Sequence, residues 1–293
     1  MNTRRILFAA SDLPSTQARA IVSVLLCSST RRARQINFHK QTRDRLRKKI
    51  YAAIVRVIKF AKHETLRKLH RFMYVRRPIQ GQDASDSDAN QIGFDREALR
   101  QDLLEMVRTQ LPEAVQAVSN ATLESVGYSD PWKFPAQSAL DLLGQRENLL
   151  SGISDEIFVD IQKEIAAGLK AGESLDQLAQ RISAAFDHIL EERAALIADT
   201  ETSAAYGFAS DLSARQAGVQ FKQWIHAGLP AVPREDHLEI DGLIVPMDEP
   251  FPVGDPPLMY PHDPDGSAED VINCGCISIP ATQEDYDDQE SPE

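Results

Sequence analysis

The residues with the greatest capacity for chemistry lie near the C-terminal end of the chain. Cys274 and Cys276 are separated by one glycine, and in an extended strand this spacing places both side chains on the same face. Together with His237 they form a predicted metal site, because Zn²⁺ binds thiolates and imidazoles in tetrahedral geometry. The candidates for a fourth ligand are His226, His262 and Asp263. A Cys-x-Cys pair departs from the Cys-x-x-Cys spacing of most structural zinc sites, so packed or reversibly oxidised thiols are the alternative interpretation.

His237 is open to a second, catalytic interpretation. With His262 it would supply the paired imidazoles that a metal-free nuclease uses as general acid and base. The competing interpretation is that His237 and Asp241 brace a loop, since Asp241 and Gly242 form a common turn dipeptide. We favour bracing and no enzymatic activity, because the sequence has no phosphate-cradling glycine-rich loop, nucleophile elbow or cofactor fingerprint.

Helical periodicity dominates the chain before Gly218. Ser154 is predicted to cap one helix and Ser174 a second, and a third and longer helix is predicted over residues 189–217, with Gly218 ending it in a left-handed conformation. Farther upstream, Asp95 is predicted to cap another helix. Pro112 is expected to kink that helix or to start a new one.

Short β-like runs follow the last predicted helix. They cover residues 219–225, 243–245 and 272–279, and segments rich in Pro, Gly and Asp separate them. A small sheet packed on the long helix would bury their apolar faces. The predicted fold is therefore α+β and predominantly helical, with helical N-terminal and middle regions and a small C-terminal sheet joined by Pro-rich loops.

Composition divides the chain into five predicted segments. Residues 81–92 are polar and acidic with few large apolar groups, which predicts a flexible linker because such a segment buries too little surface to fold. The last residues are also acidic and are predicted to be disordered. The predicted segments are a basic helical arm (1–80), the linker (81–92), a helical region (93–150), a C-terminal domain (151–280) and a disordered tail (281–293).

Charge is unevenly distributed over these segments. The formal net charge is −12, yet residues 1–80 hold 20 Lys and Arg against 3 Asp and Glu, and the remainder holds 12 against 41. A basic arm on an acidic body suggests a polyanionic partner for the arm. A solvated helix face, an anionic membrane surface or an acidic protein groove are the alternatives. The residues predicted to contact DNA phosphates are Arg47, Lys48, Lys49, Arg56, Lys59, Lys62, Arg67, Lys68 and Arg71.

Cysteine content and hydropathy indicate the compartment. Three cysteines in 293 residues do not form a disulfide framework, so we expect a reducing environment in which Cys27 is a packed free thiol. The apolar run at residues 21–27 is much shorter than the roughly 18 residues that a membrane-spanning helix requires. We therefore expect no membrane association.

The order of the C-terminal motifs resembles the minor head proteins of phages, typified by the F protein of phage Mu. The motif residues are Thr200, Glu201, Trp224, Arg234, His237, Asp241, Gly242, Cys274 and Cys276. Two positions depart from that family: Asp199 stands where an arginine is common, and Gly275 where a basic residue often lies between the cysteines. Both changes remove positive charge, so the C-terminal domain is a weaker candidate for DNA binding. Any DNA binding is therefore expected from residues 31–77.

The resemblance implies a virion structural protein that acts in head morphogenesis. Such a protein is made in the host cytoplasm, enters the procapsid with the portal protein and the scaffold or major capsid protein, and stays inside the capsid, where it influences genome packaging or ejection. Two other classes are open from the residues alone. One is a nuclease or toxin that uses His237 with or without zinc, and the other is a non-specific nucleic-acid-binding protein that uses the basic arm.

Overall fold

The structure is a computed structural model that describes residues 15–75, 86–127, 136–227 and 234–290. In these ranges it contains eight helices and a three-stranded antiparallel sheet, which confirms the predominantly helical α+β prediction. The helices are α1 (Ser15–Val75), α2 (Asp86–Ile92), α3 (Arg96–Ser125), α4 (Ala136–Lys170), α5 (Leu175–Gln216), α6 (Glu235–Glu239), α7 (Ala268–Val271) and α8 (Gln283–Glu290). The strands are β1 (Phe221–Ile225), β2 (Ile244–Pro246) and β3 (Ile277–Ala281). Among the described helices, none has the length and apolar character of a membrane span.

Helix α1 is part of the main body of the protein. One apolar stripe of this helix is buried, with Ile54 and Ile58 fully inaccessible to solvent. The stripe packs against α3 and α5, and it shares one hydrophobic core with side chains as distant in sequence as Ile277 on β3. The basic helix therefore differs from the separate arm that the charge distribution predicted, because one of its faces is buried in this core.

Of the two helix N-caps predicted at Ser154 and Ser174, the one at Ser174 is confirmed. Ser174 caps α5 as expected, since its hydroxyl accepts a hydrogen bond from the Gln177 backbone and the Gln177 side chain accepts one from the Ser174 backbone. Ser154, in contrast, caps nothing, because it lies inside α4 and its hydroxyl donates to the Ser151 carbonyl at 2.8 Å. Serine makes such local bonds inside helices as well as at their ends, and this explains the wrong prediction.

The long helix α5 begins earlier than predicted and is not interrupted. The second and third predicted helices are one helix, since no glycine or proline lies near residue 189. It ends where expected, with Gly218 at φ 72°. In α3, Asp95 accepts a hydrogen bond from the Ala98 backbone as predicted, whereas Pro112 lies within the helix and starts no new one.

The predicted linker and tail are both partly ordered. Residues 86–92 form α2, whose Ala89 and Ile92 are buried, while residues 81–85 lie outside the described part. Residues 283–290 form α8, where the Tyr286 ring stacks on Phe221 with centroids 4.5 Å apart. In each segment a few apolar side chains pack against the rest of the protein. The average composition of the segment does not indicate this packing. The tail residues 291–293 lie outside the described part.

The sheet has the order β2-β1-β3, and Phe221 of β1 is paired with Pro246 on one side and Ala281 on the other. All five residues of β3 are buried, and the strand packs on α5 as predicted. The two cysteines precede β3 and follow a left-handed residue, Asn273 at φ 55°. The strand prediction for residues 272–276 is therefore wrong, although the thiols do converge, as described next. The Cys27 side chain lies outside the described part.

Candidate functional site

Three separate segments bring sulfur and imidazole groups together at one edge of the sheet. Cys274 and Cys276 come from the loop before β3, and both are buried. His237 comes from α6 and is 2% exposed. Its Nδ1 atom lies 3.4 Å from the Cys274 sulfur and 3.7 Å from the Cys276 sulfur. The three residues predicted as metal ligands therefore meet, with all three ligand atoms within 4.8 Å of one another.

A second imidazole approaches the same sulfur pair. His226 directly follows β1, and its Nδ1 atom lies 3.7 Å from the Cys276 sulfur. The backbone N–H of His226 donates to the Asp241 carboxylate at 2.7 Å, which fixes the chain at that point. Of the three residues predicted as possible fourth ligands, His226 is the one whose ring nitrogen lies beside the Cys276 sulfur.

The other two candidates brace the loops instead. The His262 Nε2–H group donates to the Cys274 carbonyl oxygen at 2.6 Å, and His262 itself has φ 66°, a conformation that favours glycine. The Asp263 carboxylate accepts backbone hydrogen bonds from Met259 at 2.8 Å and Asp265 at 3.1 Å. Asp263 thus belongs to a turn.

The remaining motif residues of this region also hold loops in place. Arg234 donates to the Ile272 carbonyl at 2.8 Å, which joins the start of α6 to the cysteine loop. Gly242, at φ 91°, donates to the Trp224 carbonyl at 2.9 Å. The Trp224 ring stands edge-on to the His237 ring, with centroids 5.3 Å apart. The bracing role predicted for the Asp-Gly turn is present here.

The electrostatics of the thiols follow from their mutual contact. Hydrogen bonding from Cys276, and then from His237 and His262, lowers the pKa of Cys274 to about 2. The pKa of Cys276 is raised, because it hydrogen-bonds Cys274 and is buried. These contacts therefore favour the thiolate form of Cys274, and thiolate is the form that binds metal ions.

Glu201 of the Thr-Glu motif forms a buried ion pair in the helical body. Its carboxylate accepts two hydrogen bonds from Arg146, at 3.0 and 2.8 Å, and its side chain is 1% exposed. Its partner is therefore Arg146 and not Arg234, which donates to the Ile272 carbonyl. The Arg146 partner lies 55 positions away on another helix, and no local spacing signals such a pair.

Helix α1 contacts the site through two arginines. The Arg43 guanidinium is buried and donates to the carbonyl oxygen of Gly275, the residue between the two cysteines. One turn farther along, Arg47 pairs with Asp199, with Nη2 and Oδ2 3.2 Å apart. Arg43 was not predicted as a site residue, although it lies 7 and 11 positions before Ile50 and Ile54 and therefore on the same buried face of α1.

The residues predicted to contact DNA fall into two groups. Arg47, Lys49, Lys62 and Lys68 each pair with a carboxylate of the protein. The other five are exposed and form no ion pair within the described part of the chain. We call these five the open basic face: Lys48, Arg56, Lys59, Arg67 and Arg71.

Comparison with known proteins agrees with the motif resemblance. Residues 159–279 match the family described as Phage Mu protein F like protein. The chain is also 25% identical over 197 residues to the protein YqbB of Bacillus subtilis (strain 168), described as uncharacterized. That alignment covers 64% of this chain and 63% of YqbB. No solved structure matches the chain.

The Arg146–Glu201 pair joins α4 to α5, and its burial can be tested by substitution. Arg146→Met leaves an uncompensated buried carboxylate, so we expect it to lower the free energy of unfolding by about 3–5 kcal/mol. The double variant Arg146→Met/Glu201→Met should recover most of this loss, because no charge is then left buried. Lys49→Met, which breaks an exposed pair with Glu113, should cost no more than about 1 kcal/mol. Chemical denaturation measures all three, and equal losses in Arg146→Met and Lys49→Met would contradict the burial of this pair.

Proposed function

We propose that this chain, whose residues 159–279 form a Phage Mu protein F-like region, is a phage head morphogenesis protein that acts inside the procapsid. The family match carries the proposal, and the geometry of the motif residues supports it. Arg234, Gly242 and His262 all make contacts that join one loop or helix of the protein to another. Contacts of this kind fix the shape of the protein, as the function of a structural component requires.

The burial of the histidines favours a structural role over a nuclease. His237 and His262 are 2% and 4% exposed, so a phosphodiester would not reach either ring in this conformation. The cavity behind the cysteine loop, lined by Arg43 and Asp199 among others, has a volume of about 30 Å³. This is room for about one water molecule. We therefore propose that the protein does not use these histidines for catalysis.

We propose the portal protein and the scaffold or major capsid protein as partners during assembly. This part of the proposal rests on the family match alone. Co-expression of the chain with the portal, scaffold and major capsid proteins encoded beside it should yield procapsids that contain the chain after sedimentation. Procapsids made without the portal protein should contain much less of it. Procapsids that form with normal yield and exclude the chain would contradict the proposal.

A specific observation favours a DNA contact for the same protein. The open basic face carries five cations on the solvent side of a helix, and residues 48–71 span about 35 Å at 1.5 Å per residue. Inside a filled head, phosphate is the counter-charge that such a face would meet, and contacts of this kind are independent of base sequence.

The DNA contact predicts a defined salt dependence. Arg56→Gln/Arg67→Gln should weaken binding of full-length protein to double-stranded DNA and reduce the slope of log affinity against log salt by about 2, because each phosphate contact contributes about 0.9. The matched control Arg108→Gln/Lys163→Gln removes two exposed cations from α3 and α4 and should leave the slope unchanged. Fluorescence anisotropy at several salt concentrations measures both. An equal change of this slope in the two double variants would contradict a DNA contact through the open basic face.

A further inference from the structure

We infer that Cys274, Cys276, His237 and His226 form a closed, four-ligand zinc site that holds the C-terminal unit together. Two sulfurs and two imidazole nitrogens are a ligand set of structural zinc sites. The inference rests on side-chain geometry and is independent of the proposed role in head assembly.

The distances between the ligand atoms match those around a tetrahedral zinc ion. Zn–S bonds of about 2.3 Å and Zn–N bonds of about 2.0–2.1 Å place sulfur and nitrogen about 3.6 Å apart across a tetrahedral angle. His237 Nδ1 lies 3.4 and 3.7 Å from the two sulfurs, and His226 Nδ1 lies 3.7 Å from the Cys276 sulfur. His237 and the two cysteines would therefore bind an ion with little movement, whereas His226, which contacts the Cys276 sulfur but lies outside the group of mutually close ligand atoms, would have to turn toward it.

Hydrogen bonding alone does not explain the arrangement. The Nδ1 atom of His237 carries either one lone pair or one proton, so it makes one good hydrogen bond. Two sulfurs nevertheless lie within 3.7 Å of that single atom. A metal ion between them would satisfy both sulfurs and the nitrogen at once.

His226 is the fourth ligand that the local contacts favour. Its Nδ1 atom faces Cys276, whereas the Nε2–H group of His262 is bonded to a carbonyl and the Asp263 carboxylate is bonded to two backbone N–H groups. A second possible cation group, His237 with Asp236 and Asp270, includes the exposed Asp236 and only oxygen donors besides the imidazole. Thiolates and imidazoles together are preferred by zinc, which favours the buried set.

The surroundings have the features of a metal site's outer shell. The backbone N–H of Cys276 donates to the Cys274 sulfur at 3.4 Å, a contact that stabilises a thiolate. Carboxylate oxygens of Asp236 and Asp270 lie within 4.8 Å of an imidazole nitrogen of His237, where one of them can orient the ring of a metal-bound histidine. Trp224, Phe251 and Leu258 pack around the cysteines and keep the site dry.

A zinc ion here would have a structural consequence. It would tie together the end of β1, helix α6 and the loop before β3, three segments that are short and joined by Pro-rich connections. Four protein ligands leave no open coordination position, so the ion would stabilise the fold and would not activate water.

Metal analysis of the full-length protein tests the inference. Protein expressed with zinc in the medium and purified without chelator should contain one zinc per chain by mass spectrometry of the metal. Cys274→Ser/Cys276→Ser should lose it. Cys27→Ser, the matched thiol control, and His188→Ala, which changes an exposed histidine of α5, should each keep it. Folded wild-type protein without zinc, or a double cysteine variant that retains zinc, would overturn the site.

Cobalt substitution tests the fourth ligand and remains informative if the cysteine variants do not fold. Metal-free wild-type protein titrated with Co²⁺ should show the intense visible bands of tetrahedral cobalt and a thiolate-to-metal charge-transfer band. His226→Cys keeps four ligands, so it should still bind Co²⁺ tetrahedrally while the charge-transfer band grows by roughly half, as three thiolates replace two. His226→Ala should weaken cobalt binding at least tenfold. Unchanged spectra in both His226 variants would remove this histidine from the ligand set.

Discussion

The close approach of α5 to the sheet and its loops is the constraint on which the rest of this structure depends. A three-stranded sheet with one strand buried at every position is too small to stand alone, and it needs a helix to cover it. The face of α5 that covers it is made of small residues, including Ser203, Gly207 and Ser210, all buried. At Gly207 the backbone of Pro261 comes so close that an added Cβ would overlap its carbonyl oxygen. The Ser210 hydroxyl then donates to the Ser278 carbonyl at 3.1 Å and joins helix and strand directly.

Helix α1 also contacts the C-terminal site, through two arginine side chains. Asp199 and Gly275 are the two positions where the family resemblance led us to expect positive charge, and α1 supplies an arginine beside each of them. Arg47 meets Asp199, and Arg43 meets the carbonyl of Gly275. The N-terminal helix lies outside the family match, yet its inner face contributes to the C-terminal site while part of its outer face stays basic and open. One helix therefore combines a structural face with a candidate DNA-binding face.

Much of the fold could be predicted from periodicity and capping. The stripes of Ile54 and Ile58, the cap at Ser174 and the end at Gly218 each leave a local pattern of residues three or four apart. Side chains that meet across the fold leave no such pattern. Arg146 with Glu201, and Arg43 with Gly275, are separated by 55 and 232 positions. Periodicity identifies the face on which a residue lies and does not identify its partner.

The most direct test of this account compares two glycine-to-alanine substitutions in helices. Gly152 is exposed on α4 with open space around it, so Gly152→Ala should stabilise the protein by about 0.5–1 kcal/mol, because alanine is the better helix former. Gly207→Ala gains the same propensity but must displace the Pro261 backbone, so it should lower the free energy of unfolding by about 1–3 kcal/mol. If chemical denaturation shows that Gly152→Ala raises the free energy of unfolding and Gly207→Ala lowers it, the result supports close packing of α5 against the sheet and its loops. Equal stabilisation by both substitutions would contradict it.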